Sequence, residues 1–295
     1  MRFANFNAER IIPSPLKKGA TCPYCNELVI AKCGEINKWH WCHVNLEECD
    51  SWKGPETEWH LDWKGNFTEE QQEVIIEKCI SEYCYNNKDG TGREHGIGHA
   101  PCNHKDCSDC VFVKHIADVR CTYGTVIEFQ NSPLSPKSIR EREEFYGNMV
   151  WVLNGETIAK NIYLKERDGY YSFGWDWFPK SWKGVTKPIY IDMQKKADEY
   201  WKKYLKAKDS LEELNQKPIP SSQEEETLYD DVEEFYSPDD RYVEIEWEME
   251  NQKKRYDLVN GKLFLIRKIY TEGKIGGWGK LVSKEGFIKE YGRYK

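Results

Sequence analysis

Two acidic residues and one amide, in neighbouring strand-like segments, have the types and spacing of a metal site. Asp118 lies in the β-branched run 111–121, and Glu128 and Gln130 lie two residues apart in the run 125–130. Side chains two apart on a strand share a face, and a partner strand can bring Asp118 beside them. Such oxygen ligands suit Mg²⁺ or Mn²⁺ and leave positions for water and phosphate. The pattern predicts metal-dependent phosphodiester hydrolysis; the alternative is an ordinary hairpin with a surface Asp and Glu.

Cysteines and histidines near the N-terminus predict a different metal site. Cys22 and Cys25 form a knuckle whose thiolates can converge on one ion, and His40 and His43 follow after a predicted hairpin. Two thiolates and two imidazoles would complete the closed tetrahedral site of a structural zinc ion. Three further cysteines could each replace a histidine: Cys33, Cys42 and Cys49. Buried cysteines and histidines that bind no metal are the alternative.

A second cluster with zinc-ligand spacing lies in residues 95–110. The expected ligands are His99, Cys102, Cys107 and Cys110. The spacing from His99 to Cys102 repeats that of the knuckle, although His104 is an alternative fourth ligand. His95 and Cys84 are less favoured. We therefore expect two structural Zn²⁺ ions.

Glu56, His60 and Lys64 follow one another at intervals of four residues. This spacing puts them on one face of a predicted helix that starts near Gly54-Pro55. The simplest interpretation is a solvated Glu-His-Lys ladder, in which each pair contributes only about 0.2–0.5 kcal/mol. A functional role needs a further reason.

The elements that position Asp118 and Glu128 are predicted as strand, strand, helix, strand. Ser135 followed by Pro136 is an N-cap with proline at the first helical position, and the helix should run to about Tyr146. The apolar run Met149 to Leu153 has the length of a buried strand.

Another helix is predicted after Thr68, which has Gln71 at the capping-box position. Its buried stripe would consist of Val74, Ile75, Cys79 and Ile80. We expect this helix to end near Tyr85.

These segments resemble the competence protein CoiA-like nuclease family, a branch of the restriction-endonuclease-like PD-(D/E)xK superfamily. The matching residues are Ala117-Asp118-Val119, Val126 to Ser132, Arg142 with Tyr146, and Val150 to Leu153. The resemblance implies an α/β fold with a mixed sheet flanked by helices. The last position of the superfamily's D…ExK pattern is usually lysine, and here it is Gln130.

The resemblance also implies roles for individual side chains. Glu56 would approach the catalytic metal, and His60 and Lys64 would approach the scissile phosphate. Because Gln130 carries no charge, Lys64 is the expected cation. Arg142 is its competitor, although with Tyr146 it could instead hold the DNA backbone.

The family's CPxC and H-aromatic-x-H patterns favour one set of zinc ligands near the N-terminus. These ligands are Cys22, Cys25, His40 and His43. The resemblance further implies the handling of single- or double-stranded DNA in uptake or recombination, with a possible protein partner, while related nucleases serve in phage defence.

Composition limits the partners. The 295-residue chain has a net charge of -7 at pH 7, so DNA contact needs a local basic patch rather than bulk charge. No apolar stretch approaches the roughly 20 residues that span a bilayer, and the amino terminus lacks an apolar signal segment. We expect a cytoplasmic protein with no membrane partner. In a reducing compartment, 11 cysteines beside histidines favour zinc over disulfides.

Four regions are predicted: a zinc-binding module (1–50), a nuclease core (51–192) with the zinc insertion 95–110, a helix with an acidic linker (193–240), and a small β-rich region (241–295). In the last region, Tyr242 to Trp247 alternates as a strand.

Three function classes compete. The first is an active, metal-dependent deoxyribonuclease. The others are a catalytically weak zinc protein that binds nucleic acid and an assembly subunit in a larger complex. No phosphate-binding loop and no dinucleotide fingerprint supports nucleotide-driven chemistry.

Overall fold

The computed structural model describes residues 1–35, 38–45, 49–52, 56–79, 111–176, 179–216, 238–270 and 275–292. The chain divides into two compact units. Unit 1 contains Met1–Asn154, Pro179–Tyr190 and Glu285–Lys295, and unit 2 contains Gly155–Phe178 and Ile191–Lys284. The predicted zinc-binding module and the strands that carry Asp118 and Glu128 therefore belong to the same unit.

Unit 1 begins with two small antiparallel ribbons. Strands β1 (Ala4–Phe6) and β2 (Glu9–Ile11) form the first, and β3 (Val29–Lys32) and β4 (His40–His43) form the second. Their shared core is small and apolar, with Trp41 as its largest residue. A core of this size needs a metal or packing against a larger sheet for stability.

A mixed sheet forms the centre of unit 1. Helix α1 (Glu58–Lys64) precedes β5 (Gln72–Cys79), β6 (Phe112–Arg120) and β7 (Val126–Gln130). Helix α2 (Pro136–Tyr146) then leads to β8 (Met149–Leu153). The pairs β5–β6 and β6–β7 are antiparallel, whereas β7–β8 is parallel, as expected for strands joined through a helix.

The predicted strand–helix–strand segment is confirmed. Ser135 Oγ accepts a hydrogen bond from Ser138 N and so caps α2. In the last turn of α2, the buried carboxylate of Glu143 accepts hydrogen bonds from Trp151 Nε1 and from Thr186 N and Oγ1. These contacts fix α2 against β8.

The prediction of a helix after Thr68 is wrong. Thr68 and Gln71 do form a capping box, but only a 3-10 turn (Glu69–Gln71) follows before β5 begins. The β-branched residues Val74 and Ile75 pair with β6, and this tertiary pairing prevails over the helical spacing of the apolar residues.

Helix α1 packs on the sheet through aromatic side chains. Trp63 is buried and stacks on Phe129 of β7, with ring centroids 5.5 Å apart. Phe287 also contacts Trp63, with the two rings nearly perpendicular. This packing fixes the helix that carries His60 and Lys64.

Unit 2 is built from short helices, an antiparallel sheet and two long helices. In chain order it contains α3 (Gly155–Ile158), β9 (Ile162–Arg167), β10 (Tyr170–Trp175), the end of β11 (Ile189–Asp192), α4 (Gln194–Gln216), α5 (Pro238–Val259), β12 (Lys262–Tyr270) and β13 (Gly276–Ser283). The sheet order is β12-β13-β10-β9. A final helix, α6 (Lys284–Gly292), returns to unit 1.

The prediction of a strand over residues 242–247 is wrong, because these residues lie within α5. Helix α5 packs along α4, where Tyr256 meets Trp201 with ring centroids 4.8 Å apart. The predicted helix from Met193 to Asn215 is confirmed as α4. Among the described residues, none of the helices combines the length and apolar character needed to cross a membrane.

Candidate active site and metal centre

Three acidic residues form a row across three neighbouring strands of unit 1. The β5–β6 register pairs residues 72 with 119 and 74 with 117, which places Glu73 across from Asp118. The β6–β7 register pairs residues 119 with 127 and 120 with 126, and its continuation places Asp118 across from Glu128. The exposed fractions of Asp118 and Glu128 are 8% and 4%. The hairpin therefore brings the two predicted metal ligands together, and β5 adds a third acid.

Main-chain hydrogen bonds hold Asp118 and Glu128 in place. Asp118 N donates to Glu128 Oε1 at 3.2 Å, and Phe129 N donates to Asp118 Oδ2 at 3.0 Å. Beyond the paired residues of β6 and β7, these two side-chain carboxylates accept the backbone hydrogen bonds that carbonyl oxygens would accept in a regular sheet. This leaves Asp118 Oδ1 directed toward α1.

Lys64 is a buried cation in contact with the acidic row. Its side chain is fully buried, and its Nζ donates to Glu56 and, at 3.0 Å, to Glu73 Oε1. Asp118 Oδ1 lies 4.0 Å from the same Nζ. Glu56 precedes the N-cap of α1, Thr57, and Lys64 is in its last turn, where a cation is favoured. The structure therefore brings Glu56, Lys64 and Asp118 together.

Sequence reasoning missed Glu73, which was assigned to a helix. Its φ of 47° is uncommon for a residue with a side chain and marks an irregularity in β5. Its carboxylate also accepts hydrogen bonds from the backbone N–H groups of Arg2 and Phe3. The only available signal was the β-branched run that follows it, which favours a strand.

His60 connects α1 to the β7 strand. Its Nδ1 accepts from Thr57 N at 3.3 Å, so Nε2 carries the proton and donates to the carbonyl oxygen of Phe129 at 3.0 Å. Both ring nitrogens are thus engaged within the protein. Gln130 is likewise engaged within the protein, because its Nε2 donates to the carbonyl oxygen of Ser132 at 2.5 Å.

Arg142 and Tyr146 lie inside the site, with exposed fractions of 8% and 6%. Arg142 Nη1 donates to Glu128 Oε2 at 2.9 Å, and its Nη2 donates to the carbonyl oxygen of Trp52 at 2.7 Å. Burial, followed by the charges of Glu128 and Asp118, raises the pKa of Tyr146 far above its ordinary value, so the hydroxyl stays protonated.

Three buried polar atoms in this region have no hydrogen-bond partner among the residues that the structure describes. They are Glu56 Oε2, Arg142 Nε and Tyr146 Oη. Unpaired buried polar atoms are rare and costly, which makes them evidence for a missing polar ligand such as an ion or ordered water.

The side-chain charges of the site fit a divalent cation. Four carboxylates and two cations lie together: Glu56, Glu73, Asp118 and Glu128, with Lys64 and Arg142. When all six are ionised, the side chains carry four negative and two positive charges, an excess of two negative charges. The amino group of Met1, 3.8 Å from Glu56 Oε2, offsets part of this excess. Buried carboxylates are stable only when their charge is neutralised. Hard oxygen donors with this excess suit Mg²⁺ or Mn²⁺.

A separate cluster in unit 1 fits a softer metal. One ligand atom from each of Cys22, Cys25, His43 and Cys49 lies within 4.8 Å of the others. Cys25 Sγ lies 3.2 Å from His43 Nε2, and Cys22 Sγ lies 3.8 Å from Cys49 Sγ. Three sulfurs and one imidazole are a tetrahedral zinc set, so this cluster could bind zinc.

Cys49 takes the place that was predicted for His40. His40 and His43 are three residues apart on β4, so their side chains point to opposite faces of the ribbon. His40 Nδ1 lies 3.0 Å from the carbonyl oxygen of Lys38 instead. The alternation of a strand was the signal that could have excluded His40 and favoured one of the alternative cysteines.

Burial controls the chemistry of the thiols. It raises the pKa of Cys22, and it raises that of Cys49 to about 12, with Cys22 as the next cause. Without a metal, these two thiols are therefore protonated near neutral pH. Zinc binding must release these protons, so it strengthens as pH rises.

The second predicted cluster lies outside the described residues. It consists of His99, Cys102, Cys107 and Cys110, with the alternatives His104, His95 and Cys84.

Comparison with known families bears on the N-terminal part of unit 1. Residues 9–51 match the family model described as competence protein CoiA, N-terminal domain. These residues are therefore similar to the CoiA N-terminal domain. The match contains all four residues of the Cys/His cluster, so the CoiA-like resemblance and this cluster coincide. No curated protein and no solved structure matches the chain.

Proposed function

We propose that this CoiA-like protein is a divalent-metal-dependent deoxyribonuclease with a restriction-endonuclease-like PD-(D/E)xK core. The observation that carries the proposal is the buried row of Glu73, Asp118 and Glu128 with Lys64 in contact with it. Buried charges of this density are costly to stability and are characteristic of sites built for chemistry.

Asp118 and Glu128 would hold the cation, with Glu56 as the acidic neighbour whose Oε2 has no hydrogen bond among the described residues. When bound, Mg²⁺ or Mn²⁺ supplies an activated water and neutralises charge on the phosphate. Arg142 fixes one oxygen of Glu128, and Phe129 N fixes one oxygen of Asp118. The carboxylates are thereby oriented before any ligand arrives, which avoids a reorganisation cost during the reaction.

Lys64 supplies the positive charge that Gln130 lacks. Its ammonium is held by Glu56 and Glu73 within 4.0 Å of Asp118. Phosphodiester cleavage builds negative charge on the phosphate oxygens, and a fixed cation beside the metal ligands stabilises that charge. His60, bonded at both ring nitrogens, positions α1 for this purpose.

The domain match supports a proposal for the biological setting. A CoiA N-terminal domain suggests a competence-related function, in which the substrate is incoming single- or double-stranded DNA. A defence role against phage DNA would use the same chemistry. The Cys/His cluster would hold a structural Zn²⁺.

A cleavage assay tests the proposal. Purified protein is incubated with single- and double-stranded DNA, with EDTA, Mg²⁺ or Mn²⁺, and compared with Asp118→Asn. Asparagine keeps the size of the side chain and an acceptor for Phe129 N, so only the charge is lost. Asp168→Asn, at an exposed turn, is the matched control.

We expect cleavage only with a divalent cation, a loss of about 10²-fold or more in Asp118→Asn, and the parental rate in Asp168→Asn. Equal metal-dependent cleavage by the parent and Asp118→Asn would overturn the proposal. DNA binding without cleavage by the parent would favour a catalytically weak nucleic-acid-binding subunit instead.

A further inference from the structure

The cysteine knuckle that belongs to the Cys/His cluster also holds strand β6. Tyr24 lies between Cys22 and Cys25, and its hydroxyl donates to the carbonyl oxygen of Lys114 at 2.7 Å. In return, Lys114 Nζ donates to the carbonyl oxygen of Tyr24 at 2.6 Å. The knuckle is thus bonded to β6 in both directions, four residues before Asp118.

Asp50, the neighbour of Cys49, holds the same strand two residues closer to Asp118. Its Oδ2 accepts from Ile116 N at 2.8 Å, and its Oδ1 lies 2.9 Å from His115 Nδ1. Strand β7 pairs with β6 at residues 119 and 120, and Ile116 lies before this pairing begins. The carboxylate of Asp50 therefore accepts the hydrogen bond of a backbone N–H that β7 does not reach. Asp50 has an exposed fraction of 2%, and its buried carboxylate contacts β6 through both oxygens.

Trp52 connects the same segment to Glu128. Its ring stacks on His115 with centroids 3.3 Å apart, and its carbonyl oxygen accepts from Arg142 Nη2. The other guanidinium nitrogen of Arg142 holds Glu128 Oε2. The four residues Cys49–Trp52, here called the 49–52 segment, therefore contact the supports of both Asp118 and Glu128.

We propose that Asp50 is a positioning residue through which the Cys/His metal centre sets the geometry of the Asp118–Glu128 pair. The inference rests on the proposed function for the identity of that pair. A ligand bond at Cys49 fixes the start of the 49–52 segment, Asp50 transmits that position to β6, and Trp52 transmits it to Arg142. Side chains that support a metal site in this way tune its affinity without touching the ion.

The test measures Mn²⁺ affinity by electron paramagnetic resonance of free Mn²⁺, and single-turnover cleavage at saturating Mn²⁺, in the zinc-loaded protein. The variants are Asp50→Ala and Asp50→Asn, with Asp62→Asn as the matched control at an exposed aspartate. The Asp50→Asn side chain keeps a carbonyl for Ile116 N and loses the charge that faces His115.

We expect Asp50→Ala to keep its zinc, to bind Mn²⁺ about tenfold more weakly and to cleave about 10- to 100-fold more slowly. Asp50→Asn should be intermediate, and Asp62→Asn should equal the parent. A purely structural role would lower stability and leave Mn²⁺ affinity unchanged. Parental Mn²⁺ affinity in a folded Asp50→Ala overturns the proposal; if that variant does not fold, parental affinity in Asp50→Asn does so.

Cys49→Ser tests the link to the metal centre, with Cys42→Ser as control, because Cys42 lies on the ribbon face opposite His43. We expect Cys49→Ser to lose zinc and to reproduce the weaker Mn²⁺ binding of Asp50→Ala. If Cys49→Ser loses zinc but binds Mn²⁺ with parental affinity, the Cys/His metal centre does not control the Asp118–Glu128 pair.

Asp118→Asn separates the two possible failures. If it leaves Mn²⁺ affinity and cleavage unchanged, the proposed function fails, and this inference fails with it. If it lowers both while Asp50→Ala lowers neither, the inference alone fails.

Discussion

Replacing Lys64 by methionine removes one buried positive charge and little volume. In the native protein the ammonium contacts Glu56, lies 3.0 Å from Glu73 Oε1 and lies 4.0 Å from Asp118 Oδ1. Methionine retains most of the aliphatic stem that packs in α1. The variant therefore tests charge rather than packing.

The expected loss of stability is about 3–5 kcal/mol, the usual consequence of removing one partner from a buried ion pair. The excess side-chain charge of the site rises from two to three negative charges. A divalent cation should consequently stabilise the variant more than the parent. For comparison, a ligand at 100 times its Kd adds about 2.7 kcal/mol to the free energy of unfolding.

The Lys64→Met substitution should also lower the rate of DNA cleavage. A well-placed group that stabilises charge in a transition state contributes about 3–4 kcal/mol, which corresponds to a rate loss of about 10²–10³-fold. The assays are urea unfolding with and without Mg²⁺, and single-turnover cleavage with saturating enzyme and metal. Lys137→Met is the control, since Lys137 is 80% exposed and pairs with the surface residue Glu141.

Two results would refute this reasoning. A Lys64→Met protein within about 1 kcal/mol of parental stability would show that the ammonium does not compensate the carboxylates. A destabilised but folded variant that cleaves at the parental rate would leave Lys64 with a structural role and remove it from the chemistry.

Two further predictions concern the metal centre and the buried tyrosine. His43→Ala should lose the N-terminal zinc and be strongly destabilised, while His40→Ala should keep it; metal analysis showing the reverse would restore His40 as the ligand. Because the pKa of Tyr146 is raised in the folded state, the unfolded chain releases its proton first, so stability is complete below about pH 10 and falls above it. Alkaline unfolding should be shallower in Tyr146→Phe, and identical profiles would contradict the burial of a protonated hydroxyl.

The parts of the site that could be predicted from sequence are those governed by local rules. Strand alternation placed Glu128, and the Ser135-Pro136 cap placed the start of α2. Both signals act within a few residues, so no knowledge of tertiary packing was needed.

The parts that could not be predicted depend on long-range pairing. Residues 72–79 have a helical spacing of apolar groups, and only pairing with β6 makes them a strand and moves Glu73 into the acidic row. Asp50 carries no motif, and its role follows from meeting Ile116 at 2.8 Å across the fold. Cys49 was one of three candidate cysteines that spacing alone could not separate.

Residues 242–247 were predicted as a strand and are helical, the reverse of the error at residues 72–79. Alternating apolar and acidic residues are typical of a strand, yet the segment is helical and lies in a helix that packs along α4. The strong helix formers Glu and Met around it favour that outcome.

The location of Mn²⁺ in crystals tests the central claim most directly. Anomalous scattering at the manganese edge should show an ion bound by oxygens of Asp118 and Glu128, while scattering at the zinc edge should mark Cys22, Cys25, His43 and Cys49. Manganese absent from Asp118 and Glu128 at saturating concentration, with Lys64 still held by the carboxylates, would contradict a divalent-metal nuclease.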